Sequence, residues 1–143
     1  MPERTVNVLL VDDDEVDIMN VQRAFKRHHI DHPLYIANNG LDALSMLRGS
    51  SSDPPSVPGY RRLVLLDINM PKMNGLEFLE ELRQDASLRS TPVVVLTTSD
   101  ADQDRLDAYR FNVAGYILKP VTFATFTKVM ASLTQYWAVC EVP

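Results

Sequence analysis

The sequence predicts a doubly wound α/β domain, in which five short parallel strands alternate with five helices, and three observations lead there. Short β-branched apolar runs recur along the chain, each is followed by a segment with helical apolar spacing, and the intervals between runs are too long for hairpins. Parallel strands joined by right-handed crossovers, with helices on both faces, satisfy all three. A length of 143 residues with 45% hydrophobic composition supplies one core and leaves no room for a second. The chain is therefore read as one domain over 1–143, its core running from about Val6 to Leu133 and a helix end and tail occupying 134–143.

The elements follow in order. Val6 to Val11 (VNVLLV) is apolar almost throughout and stops abruptly at Asp12, the pattern of a strand covered on both faces. From Glu15 to about His29, Ile18, Val21 and Phe25 recur at helical spacing, and Asp14 can cap the open amides at the start. The alternation continues with Leu34 to Ala37 as a strand, Gly40 to Arg48 as a helix, Leu63 to Leu66 as a strand and Gly75 to about Asp85 as a helix. After Pro92 come Val93 to Leu96 as a strand, Asp102 to about Phe111 as a helix and Gly115 to Leu118 as a strand, and Thr122 caps a last long helix. The segment Gly49 to Gly59 (GSSSDPPSVPG) can continue neither a helix nor a strand and is read as an exposed loop, a tolerated surface insertion before a partner-binding one.

Bulk properties exclude several functions. The net charge is −5 and no run of Lys or Arg forms a stripe, so nucleic-acid binding is not expected. Cys140 is the single cysteine, which precludes an internal disulfide, and the opening Met-Pro-Glu-Arg lacks the order of a secretory signal. No uncharged apolar run approaches the roughly 18 residues of a membrane span. A cytoplasmic protein with no membrane association is expected.

In an open parallel sheet the site forms beyond the carboxyl ends of the strands, where strand order reverses. Polar groups stand at that edge four times: Asp12, Asp13 and Asp14 after the first strand, Asp67 after the third, Thr97 and Thr98 after the fourth, and Lys119 with Pro120 after the fifth. With strand order 2-1-3-4-5 the first and third strands are neighbours, and their aspartates share one crevice. Carboxylates that close repel unless protonated or bound to a cation. An all-oxygen donor set without Cys or His favours Mg²⁺ over zinc. Mg²⁺, Lys119 and Thr97 together suit a phosphoryl group, whose peripheral oxygens need charge and hydrogen bonds more than covalent help.

The runs LLVDDDEVD, VLLDINMPKMNGLEFL, VVVLTTSD and GYILKP, in that order and spacing, resemble the receiver domains of two-component response regulators, over about Val6 to Leu133. The resemblance is to stand-alone receivers of the chemotaxis-regulator kind, with a flavodoxin-like fold. It implies that Asp67 accepts a phosphoryl group from a histidine kinase or phosphotransfer protein, that Asp13 binds Mg²⁺ directly, that Asp12 acts mostly through metal-bound water, and that the main-chain carbonyl of Asn69 completes the metal site. It implies further that Thr97 and Lys119 contact the phosphoryl oxygens, that Tyr116 switches rotamer with Thr97, and that the Lys119–Pro120 bond is cis. Asn69 and Ser99 would tune the lifetime of the phosphoryl group. A downstream protein, or a second phosphotransfer histidine, would receive the signal.

Three other functions compete with this one. An Mg²⁺-dependent phosphatase forming an aspartyl-phosphate intermediate is the alternative function, but such enzymes place a second carboxylate where this chain has Asn69. A flavin module would need a phosphate loop where Asp12 to Asp14 stand. A degenerate receiver that only binds partners is held in reserve, since every expected residue is present. The histidines His28, His29 and His32 fall at a helix end away from the crevice and are given no role. A homodimer through the final helix and tail, from about Phe123 to Pro143, is expected, since the terminal TQYWAVCEVP offers Tyr136, Trp137, Val139 and Val142 beyond Leu133 and resembles the tails of stand-alone receivers that work beside bacterial phytochromes; the alternative is that Trp137 folds back on its own domain.

Overall fold

The structure, a computed structural model, describes residues 5–50, 55–70, 72–119 and 122–142. Its elements are β1 (Asn7–Val11), α1 (Glu15–Arg27), β2 (Leu34–Ala37), α2 (Gly40–Arg48), β3 (Arg62–Leu66), α3 (Gly75–Gln84), β4 (Val93–Thr97), α4 (Asp102–Arg110), β5 (Gly115–Leu118) and α5 (Phe123–Val139). The strands form one parallel sheet in the order β2-β1-β3-β4-β5. The expected doubly wound, flavodoxin-like architecture is therefore present.

Strand periodicity divides the core in two. Val8, Leu10, Leu63, Leu65, Val94 and Leu96 face α1 and α5, where Val21, Phe25, Phe126 and Met130 cover them. The intervening Leu9, Val11, Val64, Leu66, Val93 and Val95 face the other way, under Leu44, Leu47, Phe78, Leu79 and Leu82 of α2 and α3. The central strands are thus buried on both faces, which is why their sequences read as unbroken apolar runs.

Helix ends agree with local chemistry. Asp14 caps α1 by accepting from the Val16 and Asp17 amides, Asn74 and Glu77 form a reciprocal capping box on α3, and Thr122 caps α5 through the Thr125 amide. Helix α1 stops before the expected His29 because His28 is its C-cap and His29 lies at φ 52°. His32 is structural, its Nδ1 accepting the Val6 amide at 3.1 Å.

The structure departs from the sequence expectation at two places. The 49–59 segment is not wholly a surface insertion: Val57 is buried and its amide donates to the Met46 carbonyl, while Arg62 gathers the Leu47, Val57 and Pro58 carbonyls. Residues 51–54 of that loop lie outside the described residues. The core also extends past Leu133, since Thr134 is buried and Trp137 packs against the α1/α5 side. The Arg61 guanidinium fixes that end of the helix, donating to the Trp137, Ala138, Cys140 and Thr5 carbonyls. Trp137 therefore folds back on its own domain, while Tyr136 and Val139 remain 61% and 80% exposed.

Candidate functional site

Register places the acidic residues together. Val11 of β1 pairs with Leu66 of β3, so the next residues, Asp12 and Asp67, leave the sheet side by side. The backbone fixes both: the Asp12 amide donates to the Ala37 carbonyl at 3.0 Å and the Asp67 amide to the Val11 carbonyl at 2.9 Å. One carboxylate oxygen from each of Asp12, Asp13 and Asp67 falls within a 4.8 Å cluster, the group among the described residues able to hold a metal ion. Asp12 and Asp67 are buried and Asp13 is exposed, so the cluster opens to solvent on one side.

Strands β4 and β5 bring the other two groups. The Lys119 amide donates to the Thr97 carbonyl at 2.9 Å, which sets the two residues beside each other at the strand ends. The fully buried Thr97 hydroxyl donates to Asp67 Oδ1 at 2.7 Å, a buried charge-assisted bond. Lys119 Nζ, its side chain only 6% exposed, lies 3.4 Å from Asp67 Oδ2 and 2.9 Å from Asp12 Oδ2. Its nearest partner is one the sequence did not single out: Asp17, in the first turn of α1, at 2.5 Å.

These neighbours perturb the titrations. Burial, opposed by the Asp14 amide and by Lys119, pushes the Asp12 carboxyl up to about 6. For Lys119 burial disfavours the charge, yet the hydrogen bond to Asp17 and the charges of Asp12 and Asp67 hold the ammonium above its usual range. Two buried carboxylates with one shared ammonium form a site short of positive charge, and a hard divalent cation on the all-oxygen cluster is the fitting remedy.

Asn69 is exposed and its amide approaches Asp67 Oδ1 at 3.4 Å. Tyr116 packs against the α2/α3 side of the core and its hydroxyl donates to the Ser99 carbonyl at 2.8 Å, on the segment leaving β4. The Ser99 amide donates to Thr97 Oγ1 at 3.2 Å, so Ser99 links Thr97 with Tyr116. The Arg105 guanidinium of α4 stands 5.8 Å from the centre of the Tyr116 ring, a contact that sequence spacing did not reveal. The Lys119–Pro120 bond lies outside the described residues.

A parallel sheet with an acidic pocket, a hydroxyl and a lysine at its carboxyl edge defines a receiver, and comparison agrees. The response regulator receiver domain family matches residues 8–131, and the chain belongs to it. It is 36% identical over 132 residues to the response regulator Rcp1 of Synechocystis sp., covering 91% of this chain and 87% of that protein. It is equally 36% identical over 130 residues to the probable methanogenesis regulatory protein FilR2 of Methanothrix harundinacea, covering 91% of this chain and 82% of that one. Among solved structures, the phosphorylated cyanobacterial phytochrome response regulator RcpA superposes with a TM-score of 0.85 at 30% identity, covering 97% of this chain and 99% of RcpA. The Mn(2+)-bound form of Rcp1 superposes with a TM-score of 0.83 at 33% identity, covering 99% of both chains. This chain is a receiver domain of the two-component response-regulator kind, and among its described residues no helix is long and apolar enough to cross a membrane.

Proposed function

We propose that the chain is a phosphorylation switch that accepts a phosphoryl group on Asp67 from a histidine kinase or phosphotransfer protein and signals through phosphorylation-dependent contacts with a downstream protein. The observation that carries this reading is the convergence on Asp67 of the Thr97 hydroxyl and the Lys119 ammonium from separate strands. One Asp67 oxygen attacks the phosphorus of phosphohistidine, an O–P bond forms as the N–P bond breaks, and the imidazole leaves with a proton from solvent. Lys119 and Thr97 then hold the oxygens on which charge accumulates. Asp12, Asp13, Asp67 and the Asn69 carbonyl would hold Mg²⁺, which when bound supplies further positive charge to those oxygens. Rcp1 has been solved with Mn(2+) and RcpA in a phosphorylated form, and the proposal carries both properties over to this chain.

Thr97 and Tyr116 are the switch pair in this reading. Thr97 already points at an Asp67 oxygen, the position a phosphoryl oxygen would take over, and Tyr116 is joined to it through Ser99. Reorientation of these three alters the α4, β5 and α5 surface, where Leu106, Tyr109 and Leu118 are exposed. Residues 1–143 act as one cytoplasmic receiver unit in this proposal, with chemistry limited to its own phosphorylation and dephosphorylation. A homodimer is proposed on the exposed Tyr136 and Val139, with Trp137 serving the domain's own packing. Sedimentation of the intact chain against a Tyr136→Ser/Val139→Ser variant, which leaves Trp137 and the Arg61 contacts in place, tests it; a monomeric intact chain ends the idea.

The functional proposal is tested by incubating the protein with acetyl phosphate, with and without Mg²⁺, and weighing the intact chain. A gain of one phosphoryl group that needs Mg²⁺ and is absent in Asp67→Ala is expected. Undiminished labelling of that variant removes the assignment.

A further inference from the structure

The tightest contact at the site belongs to a residue outside the metal cluster. Lys119 Nζ is 2.5 Å from Asp17 Oδ2 but 3.4 Å from Asp67 Oδ2, so in this state the ammonium is held on the α1 side of the crevice. Asp17 is fixed by the helix itself: it lies in the capped first turn of α1, where its amide bonds to Asp14, and its side chain is only 25% exposed. Lys119 has one charge and three hydrogen bonds to share among Asp12, Asp17 and Asp67. Whatever Asp17 takes is unavailable to Asp67 or to a group bound there.

We propose that Asp17 is a positioning residue that anchors Lys119 in the resting state and competes with the phosphoryl group for it, an inference that rests on the reading of Asp67 as acceptor. Transfer of the ammonium from Asp17 to a phosphoryl oxygen lengthens the 2.5 Å tie between the first turn of α1 and the end of β5. Phosphorylation is thereby reported at the start of α1 as well as on the Tyr116 side. Asp17 limits how tightly the phosphorylated state is held, since each such complex must give up or share that pair.

Equilibrium binding of beryllofluoride, a stable mimic of the phosphoryl group, at saturating Mg²⁺ tests this without turnover, alongside binding of Mg²⁺ alone. Asp17→Asn should bind beryllofluoride about three- to tenfold more tightly, the worth of one partly buried ion pair. The same variant should bind Mg²⁺ alone more weakly, because Lys119 then falls back on the carboxylates that would hold the metal. Asp17→Glu keeps the charge and should bind beryllofluoride as the wild type does. Asp14→Asn is the charge control: it removes an exposed carboxylate from the same turn, preserves the helix cap and has no bond to Lys119. Its beryllofluoride affinity should stay within about twofold of wild type. Unchanged or weaker beryllofluoride binding in Asp17→Asn, or equal tightening in Asp14→Asn, overturns the proposal. A wild-type chain that binds no beryllofluoride in Mg²⁺ overturns the acceptor reading, and this inference with it.

Discussion

Replacing Gly75 with alanine puts a methyl group where α3 begins against the backbone of Asp67. The added Cβ would stand 2.5 Å from the Asp67 carbonyl oxygen and 2.7 Å from Ile68 Cα, both main-chain atoms that no rotamer change can move aside. Relief requires α3 or the segment after β3 to shift by roughly an ångström, to reach ordinary contact distances. Overpacking of that kind costs about 1–3 kcal/mol, offset by at most about 1 kcal/mol from alanine's better helix propensity. The net loss, about 0–2 kcal/mol if that offset is realised in full and up to about 3 kcal/mol if it is not, corresponds to a Tm lowered by up to about 10 °C in a chain of this size. Because the displaced atoms carry Asp67 itself, phosphorylation by acetyl phosphate should slow by about ten- to a hundredfold, as expected for a reacting group misplaced by that distance. Gly59→Ala is the control, since a Cβ there meets nothing within 4 Å. Thermal melts and intact-mass time courses on both variants decide the matter. If Gly75→Ala melts and phosphorylates like Gly59→Ala, the packing argument is wrong.

Three further outcomes are expected. Arg61→Ala removes the guanidinium from four carbonyls and should cost about 1–3 kcal/mol, with lost hydrogen-exchange protection over 134–140 and faster alkylation of Cys140; unchanged protection would refute the clamp. The Asp12 carboxyl, raised to about 6, binds its proton more tightly in the folded chain than unfolded, so metal-free stability from this group falls as pH rises from about 4 to 6. Mg²⁺ needs the ionised form, so its apparent affinity should drop about tenfold per pH unit below 6 and level off above 7, and calorimetry finding no pH dependence between 5 and 7 would contradict the assignment. Lys119→Ala leaves Asp12 and Asp67 buried without their cation, so the metal-free Tm should fall, Mg²⁺ should raise it by more than in the wild type, and phosphorylation should be impaired; a Tm unchanged without metal would count against the shared ammonium.

Much of this was legible in the sequence because the physics involved is local or periodic. Double-sided burial leaves runs such as VNVLLV, and the abrupt change to Asp12, Asp67, Thr97 and Lys119 marks the strand ends where a parallel sheet puts its site. What could not be read was the outcome of choices between partners. An aspartate at position 17 looks like ordinary first-turn acidity favoured by the helix dipole, and only the rotation of α1 against β5 makes it the nearest partner of Lys119. Arg61 resembles any loop arginine until the chain end is packed beneath it, and Trp137 offered equal reasons to dock inward or outward. Val57 was hidden for a different reason: its Pro- and Ser-rich neighbours dominate the local pattern while one apolar side chain plugs the core.

The central claim is that Asp67 itself carries the phosphoryl group. Reduction of the acetyl phosphate-treated protein with borohydride converts an aspartyl phosphate to homoserine, and peptide mass spectrometry then locates the changed residue. The account predicts homoserine at position 67, formed only when Mg²⁺ is present, with Asp12, Asp13 and Asp17 unmodified. Homoserine at any of those three aspartates, or none at position 67 after Mg²⁺-dependent labelling, would contradict it.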